Sequence, residues 1–109
     1  MDEVSPFRLA ADVSGRIAQF VSDIDINSLP HDQRQTVVTL KNQGADIRLE
    51  VRDYGMAEAR AEQERIAKAI AERVEAAQAT ILKISEYNLL GAADVAQLSA
   101  QLDQLKAVL

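Results

Sequence analysis

The stretch that decides the fold is Thr36 to Tyr54, TVVTLKNQGADIRLEVRDY, because it satisfies two incompatible periods. At helical spacing, Val37, Leu40, Gly44, Ile47, Val51 and Tyr54 recur at alternating steps of three and four, which lays a single stripe along a helix. At period two, Ala45, Ile47, Leu49 and Val51 alternate with Asp46, Arg48, Glu50 and Arg52 between Gly44 and Gly55, the pattern of a half-buried strand. Charge favours the strand. In a helix Asp46–Glu50 and Arg48–Arg52 are like-charge neighbours one turn apart, each costing roughly 0.2–0.5 kcal/mol. Partners favour the helix: only Thr36–Leu40 could pair with such a strand, and a lone two-stranded hairpin is marginal in water. The missing partner outweighs a few tenths of a kcal/mol. The sequence therefore predicts a helix, with a two-stranded hairpin at about 36–54, and hence an α+β fold, as the alternative.

The flanking segments are helical by the same arithmetic. Ser5-Pro6 reads as an N-cap followed by proline at the first helical position, and Leu9, Val13, Ile17, Phe20 and Ile24 then form a stripe ending near Ile24. Turn formers from Asp25 to Pro30 separate this helix from the next. From Met56 to Leu90, alanines among Glu, Gln, Arg and Lys give strong helix propensity, and Ile66, Ile70, Val74, Ala77, Ile81 and Ile84 mark the buried stripe. Gly91 fits a left-handed helix stop, and Asp94 complements the dipole of a last helix. In that helix Val95, Leu98, Leu102, Leu105 and Leu109 form a seam ~21 Å long. It can fold back antiparallel over the ~27 Å isoleucine stripe. The reading is all-α: an antiparallel helical bundle or hairpin around one long Ala-rich helix, with residues 1–109 a single domain.

Length bears on association. An unbroken helix over residues 31–90 would extend ~90 Å, whereas a compact chain of this size has a radius of gyration near ~13 Å. Either the helix bends at Gly44 or Gly55 to close a four-helix bundle, or it projects and buries the Val37–Tyr54 stripe against a second copy. The second arrangement is preferred. It implies a homo-oligomer, most simply a dimer, or docking onto another helical protein.

The chemical inventory points away from catalysis. The chain has 109 residues, 48% hydrophobic and 27% charged, with Lys+Arg 12 against Asp+Glu 17 and a net charge of −5. Nucleic acid and anionic membrane surfaces would repel it. Without cysteine there is no thiol nucleophile, disulfide or Cys-ligated metal. His31 is the one histidine, placed in a turn, and the four glycines are isolated rather than gathered in a phosphate-binding loop. Glu58 with Glu62, and Glu72 with Glu75, share helix faces and could in principle hold a cation, yet the Glu-x-x-His companion of carboxylate-bridged metal sites is missing. Tyr54 and Tyr87 read as partial core with wet hydroxyls. No cofactor is expected. The start, Met-Asp-Glu-Val, has neither the basic residues nor the apolar run of a secretory leader, and no stretch approaches a ~20-residue membrane span. A cytosolic location is the expectation.

Ser85-Glu86-Tyr87-Asn88-Leu89, late in a helical hairpin of a small acidic chain, resembles the Ser-Glu/Asp-Tyr-Asn-Leu stretch of type III secretion needle and inner-rod subunits. The resemblance covers five residues, and that family's proline-bearing turn between its two helices has no clear counterpart here. It implies a filament or rod subunit and carries over no site residue.

The functional expectation is a non-enzymatic helical interaction or structural protein. It would act through the stripes Val37, Leu40, Ile47, Val51 and Tyr54, then Ile66, Ile70, Val74, Ile81 and Ile84, then Val95, Leu98, Leu102, Leu105 and Leu109. The alternatives are the secretion-type filament subunit and a small carboxylate-dependent metal binder.

Overall fold

The computed structural model describes residues 5–109; Met1–Val4, on which the expectation about a leader partly rests, lie outside the described residues. The elements are α1 (Pro6–Asp23), α2 (His31–Met56), α3 (Arg60–Glu86) and α4 (Ala92–Val108), with a 3-10 turn at Ile26–Ser28. Each helix packs on its sequence neighbour and α4 closes against α1. The connections are short, so neighbours run antiparallel and the chain is an up-and-down four-helix bundle. Its radius of gyration is 14.4 Å and its extents are 46 × 29 × 19 Å.

The strand alternative is not supported, because residues 36–54 lie wholly within α2 and no strand occurs among the described residues. Of the two like-charge pairs that favoured it, Asp46–Glu50 is relieved from outside the helix. Arg73 of α3 reaches both Asp46 and Glu50, at 3.6 and 3.2 Å.

The projecting helix is corrected as well. Residues 31–90 bend at neither glycine; the chain breaks at Ala57–Ala59 and α3 folds back on α2. These residues have high helix propensity, yet Ala57 and Ala59 are extended, with ψ 129 and 133°. Folding back wins because it buries the α2 stripe against the α3 stripe, and burying each large aliphatic side chain contributes about 1.5–3 kcal/mol. Gln63, in the first turn of α3, donates to the carbonyl oxygens of Tyr54 and Ala57 at 3.4 and 3.1 Å, satisfying the end of α2.

The second turn differs from expectation in one residue. Gly91 is not the left-handed stop: it has φ −73 and precedes α4, while Asn88 carries φ 62. Asn88 N–H donates to the Ser85 carbonyl at 2.9 Å and Leu89 N–H to that of Ile84 at 3.4 Å, the two bonds of a Schellman cap. Leu89 then packs on the core that contains Ile84. Asparagine tolerates this conformation better than most residues because its short side chain bonds locally. Asn88→Ala should therefore lower stability by about 1 kcal/mol, Asn88→Gly should not, and Gly91→Ala should be near neutral in thermal melts. A Cβ on Gly91 would meet nothing closer than an Asp94 oxygen at 3.9 Å.

Gly44 sits where α1 crosses α2. A Cβ there would stand 3.1 Å from Ile17 Cδ1 and 3.7 Å from Ser14 Cα, so the missing side chain lets the two helices approach closely. At Gly55 the added atom would overlap Cζ at the tip of the half-exposed Phe7 ring. Both glycines lie within α2, where alanine would ordinarily add stability, but the close approach of α1 offsets that gain at each. Gly15, with nothing within 4 Å of its added Cβ, is the position where alanine should add about 0.5–1 kcal/mol. At Gly44 the gain should be largely cancelled, and Gly55→Ala should fall slightly below wild type because the half-exposed Phe7 ring must turn aside. Melting temperatures in the order Gly15→Ala, Gly44→Ala, Gly55→Ala would bear this out.

Candidate functional site

The stripes read from the sequence all turn inward. Val37, Leu40, Ile47, Val51, Ile70, Val74, Ile81, Ile84, Leu102 and Leu105 are fully buried, Leu98 nearly so, and Tyr54, Ile66, Val95 and Leu109 pack partly buried around them. The structure brings all fifteen into one core. The Val37–Tyr54 stripe, expected to meet a second copy, is covered by α1 and α3 instead. No polar or charged residue is buried among the described residues.

Residues that could carry chemistry lie dispersed on the surface. His31 is exposed at the start of α2, beside Arg34 and Gln35. Glu58 and Glu62 line an open groove of about 740 Å³ at the α2–α3 turn, together with Glu50, Asp53, Arg65, Met56 and Ile66. Arg65 pairs with Glu62 at 4.0 Å, and Glu50 is held by Arg73. Glu72 is exposed, and Glu75 faces Lys106 of α4 at 3.5 Å. Among the described residues no three of His, Cys, Asp or Glu are placed to hold a metal ion. A second cavity, of about 410 Å³, opens where the end of α1 meets the start of α4, with Phe20, Ile24 and Leu98 beside Arg16, Asp23 and Asp94.

Sequence reasoning passed over the outer face of α2. Val38, Leu49 and Met56 are 41%, 49% and 72% exposed, and Ala45 between them is exposed too; Phe7, Leu82 and Val108 are similarly exposed, but the α2 residues share one helix face. They recur at steps of seven, four and seven, a second stripe opposite the buried one. The signal is in the sequence. It was hidden because Val37 and Val38, and likewise Ile47 and Leu49, interleave two seams into what reads as one apolar run.

The comparisons add no family. No family model matches the chain, and no curated protein and no solved structure matches it. Ser85–Leu89, the stretch that resembles secretion subunits, has a local role in this fold as the cap of α3.

Proposed function

We propose that this chain is a non-enzymatic helical interaction module whose working surface is the outer face of α2. The supporting observation is the contrast between a wholly apolar core and the exposed row Val38, Leu49 and Met56, which the fold leaves in water. Exposing such a row lowers solubility and contributes nothing to the bundle, whereas docking a helix on it recovers its burial. The proposed compartment is the cytosol: no helix among the described residues is long and apolar enough to cross a membrane, and the net charge of −5 opposes adsorption to anionic lipid.

A photoreactive amino acid placed at Leu49 in the native host should capture a protein adduct, while the same probe at Leu82 should not. Leu82, 57% exposed on α3, is equally apolar and lies outside the row. Equal capture at both positions, or none at Leu49 in a folded variant, overturns the proposal.

A further inference from the structure

We infer that the occupant of the outer α2 face is a second copy of this chain, with the two α2 helices parallel, in register and related by a two-fold axis along them. The inference rests on the reading of α2 as the working surface and goes beyond it by naming the partner and its orientation.

The charge pattern carries the argument. In heptad terms the outer seam is Val38 (d), Asn42 (a), Ala45 (d), Leu49 (a), Arg52 (d) and Met56 (a), all exposed. The buried stripe then occupies c and f, on the opposite side of the helix, so α2 carries one seam for its own bundle and another that the bundle does not use. Lys41 and Arg48 take the g positions, Asp46 and Asp53 the e positions, and all four are exposed. In a parallel pair each g residue faces the e residue five positions later on the other helix. Lys41 then meets Asp46 of the second copy, Arg48 meets Asp53 of the second copy, and the two-fold axis repeats both pairs. In an antiparallel pair g faces g and e faces e; with Met56 opposite Val38, Arg48 and Asp46 would each meet their own equivalent in the second copy, and Lys41 and Asp53 would face only Gly55 and Thr39. The parallel orientation makes four attractive flanking contacts across the two-fold axis; the antiparallel one makes none and sets two like-charge pairs against it. A surface whose two flanks complement each other under a two-fold operation fits its own copy.

The remaining seam residues are consistent with that arrangement. Asn42 at an a position brings two amides together across the axis, the device by which a single buried asparagine specifies register in parallel pairs. Arg52 at d carries its charge outward on a long stem, with Nε 4.0 Å from Asp53. Arg73 engages Oδ2 of Asp46 at 3.6 Å, and the Asp46 side chain remains 53% exposed for a second cation. The seam is only ~27 Å long, at the small end of specific interfaces, so association is weak and is measured from roughly micromolar to millimolar protein.

The chain has no cysteine, so a single introduced thiol reports geometry directly. Met56→Cys places thiols at facing a positions of a parallel pair and should yield a disulfide-linked dimer on mild oxidation, whereas Leu82→Cys should not. An antiparallel pair would set position 56 opposite position 38, some ~27 Å from its equivalent, and would not cross-link. In sedimentation equilibrium, K41E/R48E and D46K/D53K should each raise the dimer dissociation constant about tenfold or more, and an equimolar mixture of the two should restore association as a heterodimer. Circular dichroism confirms that both variants remain folded, with D46K/D53K melting slightly earlier because it puts a lysine beside Arg73 in place of Asp46. A wild-type chain that stays monomeric throughout the range, or Met56→Cys cross-linking no faster than Leu82→Cys, overturns the inference. Capture of a different protein at Leu49 alongside a monomeric chain would remove the second copy while leaving the interaction module standing; absence of any capture at Leu49 would remove both.

Discussion

Ile47→Asp is expected to unfold the protein, and Leu49→Asp, two residues on, to leave its melting curve almost unchanged. The two side chains are both large aliphatics on the same helix, in the same run of sequence. Ile47 is 0% exposed and lies between α1 and α3, in a core that contains no polar residue, whereas Leu49 is 49% exposed. A carboxylate at 47 has no cation or hydrogen-bond donor within the core, and its burial together with the lost apolar contacts should cost about 3–5 kcal/mol. That is a large share of the roughly 5–15 kcal/mol that holds a domain of this size together. At position 49 the same carboxylate stays in water, and the change should fall within about 0.5 kcal/mol. Thermal and urea unfolding followed by circular dichroism, at protein concentrations too low for self-association, reads both variants. Similar losses at the two positions would contradict the assignment of an inner and an outer seam.

Leu102→Asp should release α4. Leu102 is fully buried, in the helix that lies against both α3 and α1 and closes the ring of helices. The polar links between α4 and α3 are few: Gln78 donates to Asp103 at 2.8 Å and to the Ser99 carbonyl at 3.3 Å, and Lys106 meets Glu75 at 3.5 Å, each contributing about 0–1.5 kcal/mol. They cannot retain the helix against a buried charge costing about 3–5 kcal/mol. Loss of α4 would uncover Ile81 and Ile84, so the variant should bind a hydrophobic dye and melt early. A wild-type melting curve would show that α4 is dispensable to the core.

Most of the helical architecture was legible because its signals are local. Pro6 at the first position of α1, the spacing of Leu9, Val13 and Ile17, and the alanine-rich stretch around Ile70 and Val74 each state a helix and its buried face within a few turns. The fold-back of α4 was legible too, since a leucine seam too short to stand alone needs the isoleucine stripe that precedes it. The errors fell where a residue's meaning depends on something distant. Gly91 has the residue type of a helix stop, but Asn88 takes the left-handed turn, because ending α3 there lets Leu89 reach the core. Gly55 reads as a weak point in a helix; its real function in the structure is to leave room for the Phe7 ring from α1. For the candidate site, the fifteen stripe residues were all identified as apolar seam positions, yet the exposed row Val38, Leu49 and Met56 was absorbed into the stronger stripe beside it.

By itself, then, the sequence determined that the chain is helical, where its apolar stripes run, and that it has one histidine, no cysteine and no glycine-rich phosphate loop. Only the tertiary structure decided that the helix breaks at Ala57–Ala59, that Arg73 relieves the repulsion between Asp46 and Glu50, and which of the two α2 seams is covered. The reason is physical. Propensity and periodicity act over one or two turns and specify a face, but whether a face is buried depends on which other elements can reach it, and the bundle has room at α2 for α1 and α3 on one side only.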